Sequence, residues 1–122
     1  MKRILIFISA IIIANSSIAQ NDKLEWTTLY EISGFQETPR YDETIRYCKQ
    51  LAANSEILEY TTFGISPQGR DLPLLIVDKD SDFENLKGDK AVIMIQACIH
   101  PGESEGKDAG MMLLRDIVIH NK

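Results

Sequence analysis

The sequence has 122 residues, with 13 Lys and Arg against 18 Asp and Glu, a formal net charge of −5. That length fits one small domain, and an acidic balance without a Lys/Arg cluster argues against nucleic acid and anionic membrane as partners. Two cysteines are too few for a dense disulfide framework.

The chain opens on Lys2 and Arg3, then an apolar run from Ile4 to Ala14 broken only by Ser9. Ser17 and Ala19 supply the small residues at the minus-three and minus-one positions of a cleavage before Gln20. This is the layout of a secretory signal peptide over 1–19, and the apolar run is shorter than the roughly 20 residues of an uncleaved anchor. The residue just after the cleavage point is Gln20 and not a cysteine, which argues against a lipid anchor. The mature chain, 20–122, is expected to be secreted or periplasmic, with no membrane attachment after cleavage. Losing Lys2 and Arg3 and no acidic residue takes its net charge from −5 to −7.

In the mixed stretch that follows, Trp26, Leu29, Tyr30, Ile32 and Phe35 read as core or cover contacts. Thr38 before Pro39 predicts a helix start, an N-cap followed by proline at the first position. Tyr41, Ile45, Cys48 and Ala52 then recur at helical spacing, with Leu51 broadening the stripe. Asp42, Glu43, Arg46 and Lys49 face away, and the amphipathic helix ends near Asn54. Glu59–Phe63 and Leu72–Val77 are rich in strand-forming and apolar residues. Between them, Pro67 suits the second position of a turn and Gly69 its end, so the two runs form an antiparallel pair. Pro73 places part of the second strand near a sheet edge.

Asp78 to Lys90 is a polar surface loop whose acidic spacing does not match an EF-hand. Ala91 to Ile99 is almost wholly apolar, the pattern of a strand buried on both faces in the middle of a sheet. From Glu105 the period is helical again, with Ala109, Leu113 and Ile117 on one line and Gly110, Leu114 and Val118 on the next. Arg115 and Asp116 alone break the run from Met111 to Ile119, so most of this helix is expected to be covered. The arrangement is α/β, a partial mixed β-sheet with flanking helices. A doubly buried strand and a helix apolar over most of its girth call for more sheet and helix than 20–122 supplies. The expectation is the N-terminal part of a larger domain, truncated. Cys48 and Cys98 could form one disulfide, but the simpler reading is two small buried hydrophobes.

The residues that bear chemistry follow the apolar strand: Ile99-His100-Pro101-Gly102-Glu103. Ligands gather where strands of open α/β sheets end and helices begin. An imidazole and a carboxylate three residues apart are both proper zinc ligands, and Pro101-Gly102 permits a tight turn that aims them at one point. Spacing alone leaves open a polar helix cap with a surface histidine. His120 lies about 25 Å away along a continuous helix, too far to complete the same centre.

The run from Cys98 to Gly110 resembles the metal-binding turn of zinc carboxypeptidases of the carboxypeptidase A type, with His-x-x-Glu after a buried strand and opening a helix. Upstream, Phe63-Gly64-Ile65-Ser66-Pro67-Gln68-Gly69-Arg70 is similar to the family's Gly-x-Ser-x-x-Gly-Arg hairpin. Tyr41-Asp42-Glu43-Thr44 fits the start of the peptidase domain. The resemblance runs from Pro39 to Ile119 and implies the N-terminal portion of the zinc carboxypeptidase (phosphorylase/hydrolase-like) fold, a mixed sheet with helices on both sides. It implies zinc as cofactor, a peptide as substrate of the full-length enzyme, and His100 and Glu103 as metal ligands. Arg70 would hold the hairpin near the metal, and Glu105 is read as structural. The third ligand, the general base and the carboxylate-binding residues of the family have no counterpart here, so no catalytic residue is assigned. Gly102 stands where the digestive enzymes carry an arginine. Two other readings remain: an acyl-amino-acid hydrolase using the same His-x-x-Glu pair, and a non-catalytic fragment.

Overall fold

The structure, a computed structural model, describes residues 26–84 and 90–122. The predicted leader over 1–19 lies outside the described residues. Three helices and one two-stranded sheet are formed among them: α1 (Leu29–Ile32), α2 (Tyr41–Ala53), β1 (Leu58–Ile65), β2 (Asp71–Val77) and α3 (Glu105–Val118). This is a small mixed α/β arrangement.

Helix α1 is one turn long and owes its existence to its cap. The Thr28 hydroxyl accepts from the Glu31 amide, and the Glu31 carboxylate accepts from the Thr28 amide at 2.9 Å. Each side chain thereby satisfies an amide that a helix start leaves without a partner. Trp26 is buried as expected, whereas Ile32 and Phe35 are exposed. Phe35 instead meets Tyr30 edge to face, with ring centroids 5.2 Å apart.

Helix α2 starts two residues later than Thr38-Pro39 predicts. The Glu43 carboxylate accepts from the Arg40 amide at 2.9 Å, making Arg40 the cap. Thr38 and Pro39 serve α3 instead: Lys107 Nζ donates to Thr38 Oγ1 at 2.6 Å and to the Pro39 carbonyl at 2.7 Å. The stripe itself is as read. Cys48 and Leu51 are buried, and Asp42, Glu43, Arg46 and Lys49 are exposed.

β1 and β2 pair antiparallel, Leu58 opposite Val77 and Ile65 opposite Asp71, with a bulge between Thr62 and Gly64. The turn closes through Ser66 N to Arg70 O at 2.7 Å and Gly69 N to Ser66 O at 2.9 Å. Gly69 has φ +75°, which any side chain would oppose. The hairpin tip is docked on the start of α2 by Tyr41, whose hydroxyl donates to the Asp71 carbonyl at 2.9 Å. The Arg70 guanidinium lies over the Tyr41 ring, 5.3 Å from its centroid.

Two expectations are corrected. Ala91 to Ile99 does not form the central strand: it makes no ladder among the described residues and its side chains are exposed. A strand is held by cross-strand pairs with its neighbours, and among the described residues β1 and β2 pair only with each other. Cys98, in that segment, is therefore exposed, while Cys48 is buried, and both thiols are free. The face of α3 also differs. Asp108, Met111, Arg115 and Val118 are buried, and Ala109 and Leu113 are exposed.

Arg115 explains that rotation. Its guanidinium donates to Glu31 Oε2 at 2.5 Å, to the Trp26 carbonyl at 3.4 Å and to Asp116 Oδ1 at 3.1 Å. Tyr47 donates to the same Trp26 carbonyl at 2.8 Å. Around this network Trp26, Leu51, Leu58 and Val118 form the core, with Tyr47, Ile57 and Leu75 packed against it. Burial pushes the Tyr47 phenol up to about 12. Burial alone would raise Glu31 too, but hydrogen bonds from Thr28 and Arg115 outweigh it and hold the carboxyl below 4.5.

Replacing Arg115 by Met leaves the half-buried Glu31 carboxylate with its Thr28 hydrogen bonds but without its charge partner. Urea unfolding at neutral pH is expected to show a loss of about 2–3 kcal/mol, less than for a fully buried pair. The Arg115→Met/Glu31→Gln double variant should recover part of it. Because the folded value of Glu31 is lowered, its contribution is complete above the unfolded value near 4.5 and fades as pH falls through the folded one. Glu31→Gln should flatten that part of the acid-stability curve. A second expectation concerns the thiols. Burial pushes the Cys48 thiol up to about 11, so maleimide at neutral pH should label Cys98 alone until urea exposes Cys48, as read by mass spectrometry.

Candidate metal centre

His100-Pro101-Gly102-Glu103 is a β-turn. The Glu103 amide donates to the His100 carbonyl at 3.3 Å, proline stands at the second position, and Gly102 at the third has φ +95°. These are the marks of a type II turn, which demands a residue tolerant of positive φ at its third position. Such a turn sets its first and fourth residues side by side. His100 Nδ1 accordingly lies 3.0 and 3.1 Å from the two carboxylate oxygens of Glu103. Both side chains are exposed.

The turn is fixed at both ends. On the upstream side Cys98 adopts φ +57°, and its thiol donates to the Glu103 carbonyl at 3.3 Å. That conformation costs a non-glycine residue roughly 1–2 kcal/mol. On the downstream side α3 begins at Glu105. A Cβ on Gly106 would stand 3.3 Å from the Ala97 Cβ, so glycine lets the incoming segment lie against the first turn of the helix. Lys107 then ties that turn to Thr38 and Pro39 and lies 3.2 Å from Asp108 Oδ1, a charge contact without a hydrogen bond. A shallow recess of about 250 Å³ runs between Ala97, Cys98, Glu103 and Gly106.

The donor set fits a zinc ion. Imidazole nitrogen and carboxylate oxygen are both ordinary zinc ligands, and two of them at about 2.1 Å from a tetrahedral ion stand about 3.4 Å apart. The observed separations of 3.0 and 3.1 Å are those of a direct hydrogen bond between ring and carboxylate, which an ion bound between the two donors would replace. Among the described residues no group of three His, Cys, Asp or Glu side chains is placed to hold a metal ion. His120 stands past the far end of α3, an unbroken helix over 105–118. Arg70 is engaged with Tyr41, and among the described residues no hydrogen bond joins its side chain to the 100–103 turn. Glu105 occupies the first position of α3, where the helix dipole favours a carboxylate. Lys107 and Gly106 were not singled out by sequence. The lysine had no signal of its own, while glycine in a helical pattern signals close approach.

Comparison with curated proteins and with solved structures gives no match. Comparison with protein families matches residues 44–121, nearly two thirds of the chain, to the family described as zinc carboxypeptidase. The match takes in α2 from Thr44 onward, the hairpin, the 100–103 turn and all of α3. The chain belongs to the zinc carboxypeptidase family.

Proposed function

We propose that this chain is part of an exported metallocarboxypeptidase, a hydrolase of C-terminal peptide bonds, and that His100 and Glu103 are two of its zinc ligands. The observation that carries this reading is the placement of His100 Nδ1 against the Glu103 carboxylate by a single turn at the start of α3. The chemistry supplied by a bound zinc is Lewis-acid activation of water and of the scissile carbonyl. The chain's own residues do the holding: His100 through Nδ1, Glu103 through its carboxylate, which also offsets part of the ion's charge. Gly102 sets the turn, and Gly106 and Lys107 seat it on the helix. Two ligands hold a metal weakly, and a peptidase also needs a general base and a carboxylate-binding group. The 122-residue chain by itself is therefore proposed to be inactive.

Calorimetric titration of zinc tests the ligand assignment. Weak binding is expected, lost in His100→Ala and in Glu103→Ala and unchanged in His120→Ala. Equal loss in all three would mean scattered surface binding, and tight binding by the unmodified chain would mean a ligand outside this pair. Export, proposed from the sequence of 1–19, is tested by the intact mass of material from the periplasm or medium. A mature chain beginning at Gln20 is expected, and retention of Met1 would overturn it.

A further inference from the structure

A lysine is rarely buried unless its charge is matched, yet the Lys107 side chain is only 18% exposed. Its ammonium carries three donors. Two go to Thr38 Oγ1 at 2.6 Å and to the Pro39 carbonyl at 2.7 Å, and Asp108 Oδ1 at 3.2 Å offsets the charge. The Asp108 side chain is 2% exposed, and that oxygen makes no hydrogen bond among the described residues. Such a pair adds little net stability against apolar residues, so its value lies in where it fixes the chain.

Long-range polar contacts hold α3 at two places. Arg115 fixes its far end on Trp26 and Glu31, and Lys107 fixes its first turn on Thr38 and Pro39. The metal turn lies just beyond the second. The Lys107 and Asp108 amides both donate to the Ser104 carbonyl at 3.1 Å, and Glu103 is the next residue upstream. Glu103 stands about 18 Å from Arg115 along the helix direction. Held at Arg115 alone, a swing of about 5° moves that end by roughly 1.5 Å, three times the ~0.5 Å within which a ligand must be placed. We infer that Lys107, its charge matched by Asp108, is a positioning residue of the metal turn, pinning the start of α3 so that Glu103 meets His100. The inference rests on the reading of His100 and Glu103 as zinc ligands. The pin is anchored in turn on the hairpin. Pro39 lies two residues before Tyr41, whose hydroxyl donates to the Asp71 carbonyl and whose ring lies under the Arg70 guanidinium. Arg70 thus acts on the turn through Tyr41, the Thr38-Pro39 strap and Lys107.

Calorimetric titration of zinc into the full chain and its variants tests this. Lys107→Met/Asp108→Asn removes the pin without leaving a charge unmatched, and should weaken zinc binding about 10-fold. Thr38→Val, at an exposed position far along the chain, should weaken it about 3-fold, and Thr38→Ser, which keeps the hydroxyl, should restore it. Ile57→Val trims the packing against the core by one methyl group and lowers the urea midpoint, but should leave zinc binding unchanged. A second readout needs no metal. The Overhauser contact between the Ala97 methyl and the Gly106 α protons should weaken in the double variant and in Thr38→Val. Unchanged zinc binding or an unchanged contact in the double variant, equal loss in Thr38→Val and Thr38→Ser, or a like loss in Ile57→Val would each overturn the inference. Zinc binding that survives His100→Ala would overturn the ligand assignment instead, and the Overhauser contact still decides whether Lys107 pins the turn.

Discussion

The fold turns on one buried cation. The Arg115 guanidinium sits in the core face of α3 and gathers the Trp26 carbonyl, the Glu31 carboxylate and Asp116 around it. An apolar side chain could not do this: Tyr47 and Thr28 would still donate to the Trp26 carbonyl and to Glu31, but the carboxylate would lose its charge partner in a largely dehydrated position. The same contacts decide which side of α3 faces inward, and so on which side of the helix the His100–Glu103 turn enters. Glu31 links the two levels of order: it caps α1 through Thr28 and receives Arg115 through the same oxygen, Oε2. Local capping and long-range packing therefore reinforce one another.

The candidate metal turn is set by backbone conformation more than by burial. Positive φ at Cys98 and Gly102, a close approach at Gly106 and the Lys107 tether fix it while both donors remain open to solvent. Gly102 has a further meaning. At φ +95° a side chain is strained, so this shape of turn depends on glycine at its third position. The glycine is thus coupled to the placement of His100 against Glu103.

Much of this was legible in the chain. Period 3.6 placed α2 to within a few residues, β-branched content and Pro67 with Gly69 placed the hairpin, and His100-Pro101-Gly102-Glu103 announced a turn that joins two donors. The failures have physical causes. Periodicity assigned Ala91 to Ile99 to a sheet interior because it measures how apolar a segment is, and not whether neighbours are present to pair with it. It set Leu113 in a covered stripe and took Arg115 as a break in the apolar run, whereas hydrogen bonds to Trp26 and Glu31 bring the guanidinium in. Helix α1 was missed although Thr28 and Glu31 spell a capping box, since one turn is too short for any period to register.

The bulge at Phe63 has a consequence for which backbone can recruit another strand. A bulge sharpens local twist and interrupts the regular spacing of donors and acceptors, and Pro73 on β2 has no amide hydrogen to offer. Both rims of the hairpin are thus poor templates despite the exposed Phe63 and Ile65. The molecule has blunted the edges it displays as regular sheet, while the stretch carrying the greatest strand propensity has neither bulge nor proline to guard it.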